Sequence, residues 1–338
     1  MAQYRTDIHK IDSGQVFTRH EVFMLSDRLT PSGTLTDCFG RMRVSEPLTL
    51  FDSQHRYQDN GKWATANNGS SNTVHVLHES AINMNVGTAN NDYVYRETKK
   101  VFAYQPGKSL LIFTTFKFAP PQTNLRQRVG YFNTQNGVFF QQNDSTLSFV
   151  LRSNSIPTPG TPSDTRTVNQ ADWNGDKFDG SAFSKRQIDV TKANILWFDI
   201  EWLGVGSVRC GFVINGVFIL CHVFNHANTL TLPYMQTACL PVRMEIENTG
   251  TTASNSTYKQ VCSAVISEGG YALAGKPRTI STPLVSTSTV QLGTAGTFYP
   301  VMSIRLHSNT LDSIVIPKQI NVLPINSANY QWRLVNGA

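Results

Sequence analysis

The sequence has little charge, and what it has is dispersed. Charged side chains make up 15% of the 338 residues, where about a quarter is usual for globular proteins. Lys and Arg never occur in runs longer than two, so the net charge of +6 is spread along the chain. Proteins that read nucleic acids concentrate positive charge in a stripe or tail. The charge pattern therefore predicts that no specific nucleic acid is bound.

Long apolar runs are also absent. The sequence contains no stretch of 18 apolar residues, and its beginning, MAQYRTDIHKIDSGQ, lacks the charged and then apolar pattern of a secretory signal. From these two observations we expect no membrane insertion. We also expect the protein to be made in a cytoplasm and assembled there.

The cysteines do not form a disulfide or metal pattern. No C-x-x-C pair occurs and the number of cysteines is odd, which favours buried free thiols. Cys221 and His222 are adjacent in a strand-like segment, so their side chains point to opposite faces and cannot act together as nucleophile and base. The five cysteines are Cys38, Cys210, Cys221, Cys239 and Cys262.

Strand signals dominate the rest of the sequence. The block from Thr191 to Glu247 contains ILWFDIEW, SVRCGFVI, VFILCHVF and LPVRMEIEN, all rich in β-branched and aromatic residues and separated by turn formers such as Asn215-Gly216. Similar short segments recur about every ten residues from Leu48 onward. The only helix candidate, SAFSKRQIDVTKANI, is weak. The pattern predicts an all-β protein with the strand spacing of a sandwich.

Composition divides the chain into three parts. Residues 1–45 are polar and rich in turn formers, which predicts an extended N-terminal arm. Residues 46–272 carry the sandwich. Residues 273–338 begin with a linker and continue with STVQLG, FYPVMSIRLH, SIVIPKQINVLP and YQWRLV. These predict a small C-terminal β region, either folded alone or added as strands to a neighbouring chain.

The candidate site lies on the segment from Trp197 to Glu201. Asp199 and Glu201 are two residues apart, so a strand presents both on one face. The segment resembles the E-x-D-x-E strand of lectin-like jelly-roll glycosidases of the laminarinase kind, matching its second and third acids. Trp197 stands where the first acid would be. Retaining hydrolysis needs that acid as well, so the resemblance implies a related jelly roll without the enzymatic activity.

A second acidic pair, Glu245 and Glu247, shares a face on MEIEN. We predict a glycan-binding face formed by both pairs and by Trp197 and Trp202, although Asp-x-Glu also occurs on ordinary polar surfaces.

No metal or cofactor site is predicted. In DWNGDKFD, Lys177 and Phe183 replace the glycine and the bidentate acid of a calcium loop. His222 and His226 lie about 13 Å apart if their segment is a strand, which is too far for a shared zinc ion.

Several longer stretches carry a family resemblance. LTDCFGRMRVSEPLTLFDSQHRY, RETKKVFAYQPGKSLL, LRQRVGYFNTQNGVFF and CLPVRMEIENTG, together with DWNGDKFDG and the strands from Ile195 to Asn228, resemble virion structural proteins of tailed bacteriophages, especially those of aquatic bacteria. The likeness covers most of residues 30–272 and continues more weakly to QWRLVNGA. It implies a protein of the phage particle, in the tail, fibre, baseplate or head decoration, and it supplies no catalytic residue.

These observations lead to one expected function and one alternative. We expect a non-enzymatic structural protein of the virion, assembled in the host bacterial cytoplasm, whose partners are other virion proteins and copies of itself. Symmetry lets such proteins reuse one surface many times. The alternative is a jelly-roll module that binds, or weakly cleaves, a host surface glycan.

Overall fold

The computed structural model describes residues 2–10, 16–24, 45–272, 275, 277–282, 293–307, 315–322 and 331–335. The strands are β1 Ala2–Lys10, β2 Val16–Met24, β3 Pro47–Ser53, β4 Trp63–Asn68, β5 Asn72–Val76, β6 Ala81–Val86, β7 Tyr93–Thr98, β8 Phe102–Ala103, β9 Ser109–Lys117, β10 Leu125–Phe132, β11 Gly137–Asn143, β12 Thr146–Ser153, β13 Ser163–Asn169, β14 Asn194–Ile200, β15 Val208–Ile214, β16 Val217–Phe224, β17 Cys239–Leu240, β18 Val242–Asn248 and β19 Ser256–Glu268.

Two large antiparallel sheets form a sandwich. A seven-stranded sheet has the order β13-β12-β11-β10-β18-β7-β4, and an eight-stranded sheet has the order β16-β15-β14-β9-β19-β6-β5, with β3 paired to β19. The chain passes repeatedly from one sheet to the other, as between β9 and β10 and between β18 and β19. The all-β, jelly-roll sandwich predicted from the sequence is confirmed.

Alternation along the strands places the core between the sheets. In β9, every second residue from Leu110 to Phe116 is buried, and the residues between them are half-buried. Aromatic rings fill much of the interior: Phe118 stacks on Phe140 with centroids 5.8 Å apart, and Phe140 meets Phe212 edge-on at 5.2 Å. Such ring pairs add specific geometry to the burial of apolar area.

The predicted turn at Asn215-Gly216 is confirmed. Both residues have positive φ, 53° and 75°, and they join β15 to β16. Two successive positive φ values suit the right-handed twist of a hairpin, and asparagine and glycine reach them at low cost.

The weak helix candidate, residues 181–195, is turns and irregular chain leading into β14. Within the described residues the helices are two 3-10 turns, Leu77–Glu79 and Gln170–Asp172. None of the described helices has the length and apolar character needed to cross a bilayer.

The ends of the chain differ from the sandwich. In the predicted arm, β1 and β2 pair as an antiparallel hairpin in which Ala2 is opposite Met24. Cys38 lies outside the described residues. In the C-terminal region, where the sequence predicts strands, the described residues from 275 to 335 contain none. The boundaries at 45 and 272 stay predictions.

The outer face of the seven-stranded sheet carries a network of ion pairs. Glu245 accepts hydrogen bonds from Arg128 at 2.6 Å and from Arg243 at 3.0 Å, and Arg243 also donates to Glu97 at 2.7 Å. The Arg243 guanidinium lies 3.7 Å from the Tyr95 ring centroid. Although burial raises the pKa of Glu245, the positive charges of Arg128 and Arg243 outweigh it and lower that pKa below its usual value.

This network generates a stability prediction. Glu245→Gln leaves Arg128 and Arg243 without their shared carboxylate, and removing one partner from a buried ion pair costs about 3–5 kcal/mol. We expect urea unfolding at pH 7 to show a loss of that size. Glu247→Gln, which breaks the more exposed pair with Arg126, is the matched control and should cost less than about 1 kcal/mol.

The same pair predicts a pH dependence. Because the folded-state pKa of Glu245 is lowered, its contribution is complete above the usual value of 4.5 and is lost as the pH falls below it. The stability difference between wild type and Glu245→Gln should therefore shrink from pH 5 toward pH 3. A difference that is constant over this range would contradict the assignment.

Candidate functional site

A polar cleft opens where β14 ends. Asp199 lies near the end of the strand and Glu201 follows it directly, and both carboxylates line a cavity of about 250 Å³ on the outer face of the eight-stranded sheet. The other lining residues come from the segment before β9 and from the β14–β15 hairpin: Tyr104, Gly107, Lys108, Ser109, Leu203, Ser207 and Arg209. The prediction that Asp199 and Glu201 share a face is confirmed.

The loop between β14 and β15 shapes the cleft. Leu203 and Gly204 have positive φ, and the Gly206 N–H donates to the Trp202 carbonyl at 2.8 Å. A Cβ on Gly206 would lie 2.2 Å from the Glu201 carbonyl oxygen, so only glycine permits this close turn. The turn keeps Glu201 beside Ser207, whose hydroxyl donates to it at 3.3 Å.

The two carboxylates have different surroundings. Asp199 is 8% exposed and forms an ion pair with Arg209, its cross-strand neighbour in β15. Glu201 is exposed, and within the described chain its side chain forms no ion pair shorter than 4.0 Å. Burial and the Glu201 charge both raise the pKa of Tyr104, so its hydroxyl stays protonated near neutral pH. The Tyr104 oxygen is buried, so the cleft offers a bound hydroxyl the carboxylates of Asp199 and Glu201 as acceptors and Lys108 and Arg209 as donors.

Trp197 shares the outer face with Asp199 but is covered. It is 4% exposed, and the Phe218 ring lies edge-on to it at 5.5 Å. Its indole N–H donates to the Phe212 carbonyl at 3.2 Å. A Cβ on Gly211 would lie 2.9 Å from two carbons of the indole, so the absence of a side chain at Gly211 leaves space for the Trp197 ring. Trp197 therefore supports this face and does not reach the cleft.

Trp202 points toward the core, whereas Trp197 lies on the outer face of the sheet. It is half-buried, packs against the core and meets Tyr104 edge-on at 6.1 Å. Its indole N–H donates to the Met235 carbonyl at 3.3 Å. Trp202 therefore packs against the Tyr104 ring and does not present its own ring to a ligand in the cleft.

The second acidic pair lies on the opposite side of the molecule. Met244 and Ile246 belong to the core, so Glu245 and Glu247 face outward from the seven-stranded sheet. Asp199 and Glu201 face outward from the other sheet. The two pairs therefore do not line one groove, because the sandwich core separates them. The structure divides the predicted six-residue face, and glycan binding by either part stays a prediction.

The remaining candidates have structural partners. The Cys221 thiol is buried in the core, which raises its pKa. His222 accepts a hydrogen bond from the Asn174 N–H at 3.3 Å, and burial lowers its pKa to about 4. His226 stacks on Tyr234 with centroids 4.0 Å apart, and burial lowers its pKa to about 4 as well. Both rings are therefore neutral near pH 7.

Two acids of DWNGDKFD, Asp176 and Asp179, accept backbone N–H groups of the turns that follow them. The Asp176 carboxylate accepts the N–H groups of Phe178 and Ser184, at 2.8 and 2.7 Å. Trp173 is buried in the core against Phe149, with ring centroids 4.6 Å apart. No group of three or more His, Cys, Asp or Glu side chains suited to a metal ion occurs in the part of the chain that the structure describes.

Sequence reasoning missed Tyr104, Lys108 and Arg209. Arg209 could have been found, because a hairpin centred on Gly204 places it opposite Asp199. Tyr104 and Lys108 are about 90 residues away in sequence, and only the pairing of β9 with β14 brings their segment to the cleft.

No protein-family model and no curated protein matches the sequence. Solved structures share the architecture at low similarity. A β-glucanase of Bacillus licheniformis has 11% identity and a TM-score of 0.41, covering 68% of this chain and 100% of its own. The CBM2 module of the evolved Dit of Lactobacillus casei BL23 phage J-1 has 4% identity and a TM-score of 0.41, with the same coverage. Peanut lectin has 12% identity and a TM-score of 0.38, covering 66% and 98%. Likenesses this distant carry no argument about function.

Proposed function

We propose that this protein is a non-enzymatic structural component of a tailed-phage virion, which assembles through symmetric contacts with copies of itself and with other virion proteins. One observation carries the assembly part of the proposal, namely the concentration of exposed apolar side chains in the C-terminal region. The phage part rests on the sequence resemblance. Within the particle, the protein belongs to the tail, the fibre, the baseplate or the head decoration.

The C-terminal region exposes apolar side chains at high density. Twelve of the 23 exposed large apolar side chains among the described residues lie between residues 280 and 335. Ile304 is 57% exposed and Leu334 is 76% exposed. Exposed apolar side chains at this density are typical of a surface that another protein covers.

The backbone supports the same conclusion. The sequence of this region has the β-branched and aromatic character of strands, yet its described residues form no strand within the single chain. A strand-forming segment without a partner strand gains hydrogen bonds and burial when a neighbouring chain supplies them. Contacts between copies satisfy both needs together.

The first test is self-association of the full chain. We expect sedimentation equilibrium to show an oligomer, and Ile304→Asp to weaken it about tenfold or more, because burying one such side chain contributes about 1.5–3 kcal/mol. Val74→Asp is the matched control, since Val74 is similarly exposed at 47% but lies on an edge strand of the sandwich. A wild-type protein that stays monomeric at about 100 μM would contradict the proposal.

The particle itself provides the second part of that test. Antibodies against this chain should label purified virions at a fixed, symmetric position. Absence of the chain from purified particles would contradict the virion assignment while leaving its self-association intact.

The polar cleft favours a second candidate function, glycan binding. Its carboxylates can accept and Lys108 and Arg209 can donate hydrogen bonds to sugar hydroxyls, and Leu203, which is 53% exposed, offers an apolar contact. Glu201 is the group available to a ligand, because Asp199 is already paired with Arg209. Glycan binding is compatible with the proposed role as a structural protein of the virion.

The cleft can be tested with host envelope polysaccharide. If it binds glycan, Glu201→Gln should weaken binding measured by calorimetry about tenfold, since a hydrogen bond to a charged group contributes about 1.5–3 kcal/mol. Glu247→Gln on the opposite face should leave binding unchanged. We expect no release of reducing sugar from the polysaccharide. Release that Glu201→Gln abolishes would contradict the non-enzymatic assignment.

A further inference from the structure

The part of the eight-stranded sheet formed by β9, β14, β15 and β16 has a polar half and an apolar half on its outer face. The polar half is the cleft with Asp199 and Glu201. The apolar half, which we call the apolar block, has two rows of side chains across four adjacent strands. Cross-strand register gives these rows as Ile195, Val213 and Phe218, and then Phe113, Trp197 and Leu220.

The apolar block exposes three side chains above a packed base of aromatic rings. Phe218 is 53% exposed, Ile195 40% and Leu220 38%. Phe218 rests edge-on against Trp197 and against Phe113, with centroids 5.5 and 5.8 Å apart. Ordered rings lose little conformational freedom when a partner covers them, so the block is well prepared for binding.

The edge of this sheet is less available than its face. The N–H groups of Gly175 and Asp176 donate to the carbonyls of Cys221 and Leu220, each at 2.9 Å. The Asn174 side chain bonds both backbone groups of Val223. These contacts occupy the second half of β16. A partner is therefore expected to pack on the face and not to extend the sheet along this strand.

A segment of the same chain has a matching surface. In VIPKQINV, residues 315–322, three side chains are about half exposed, and an extended conformation of this segment would place all three on one side: Ile316, Ile320 and Val322. Ile320 and Val322 are two residues apart, which is about 6.6 Å in an extended chain. The two rows of the apolar block have the same separation as Ile320 and Val322, because Ile195 and Trp197 are two residues apart on β14.

Charge favours the same pairing. Residues 273–338 contain five Lys or Arg residues and a single acidic one, Asp312. Lys318 lies between Ile316 and Ile320 on the same side of the extended segment. Along β14 the apolar block is followed by Asp199 and then by Glu201, which is exposed and forms no ion pair in the described chain. When Val322 and Ile320 cover the two rows, Lys318 lies beside Asp199, which Arg209 already pairs, and one position from the carboxylate of Glu201.

We propose that the apolar block binds residues 315–322 of a second copy of this chain. In the single chain both surfaces are exposed, so each lacks the apolar partner that the other provides. The inference rests on the proposed assembly function and names the contact that produces it. Reciprocal exchange of the segment between two copies closes a symmetric dimer, and exchange around a ring closes a larger oligomer.

Two substitutions in the full chain test the two sides separately. Phe218→Asp damages the acceptor surface, and Ile320→Asp damages the donor segment. We expect each to weaken self-association about tenfold or more by sedimentation, whereas the edge-strand control Val74→Asp should not. Ile195→Asp serves as a second acceptor variant, and far-UV circular dichroism with thermal melting identifies any variant that fails to fold.

Mixing the variants distinguishes exchange between copies from docking within one chain. The Phe218→Asp chain keeps a donor segment and the Ile320→Asp chain keeps an acceptor surface, so their mixture should associate more tightly than either variant alone. A mixture that associates no more tightly than the separate variants would overturn the inference. If the wild type associates but Phe218→Asp and Ile195→Asp have no effect, the docking site is wrong and the assembly function stands. A monomeric wild type would overturn both.

Discussion

The burial of one side of every central strand between the two sheets controls the rest of this structure. Aromatic and branched residues at every second position of β9, β14 and β18 make up the core, and the alternation sends the intervening residues outward. A slip of one residue would exchange the two sets, so the register is strongly determined. The placement of Asp199 and of Glu245 follows directly from this constraint. Each is outward because the residues on either side of it belong to the core.

The two outer faces use their polar residues differently. On the seven-stranded sheet, Glu245 is enclosed by Arg128 and Arg243, and the guanidinium of Arg243 also lies over Tyr95. The charges there satisfy one another, which suits a structural surface. On the eight-stranded sheet, Asp199 has one cationic partner and Glu201 is open to solvent. Among the residues that the structure describes, the second face alone combines an available carboxylate with a cleft and an exposed apolar surface.

The C-terminal region and the apolar block both expose apolar side chains in the single chain. Each exposes side chains that water solvates poorly, and neither is covered in the single chain. An assembly of identical copies solves this with one type of contact used repeatedly. The glycan-binding alternative uses the neighbouring cleft. The two functions therefore compete for one side chain, Glu201, which both Lys318 of a partner copy and a glycan would contact. The other side chains of the cleft and of the apolar block serve one function each.

The sequence by itself determined the class of fold, the hairpin at Asn215-Gly216, the buried character of Cys221 and the shared face of Asp199 and Glu201. These follow from local rules: the period of two along a strand, the backbone preference of Asn-Gly and the apolar neighbours of each thiol. Only the tertiary structure decided that Glu245 and Glu247 lie on the opposite side from Asp199, that Trp197 is covered by Phe218, and that Tyr104 and Lys108 complete the cleft. Such facts depend on which strands pair and which sheet each joins. Strand pairing is a contact between distant parts of the chain, which local periodicity cannot encode.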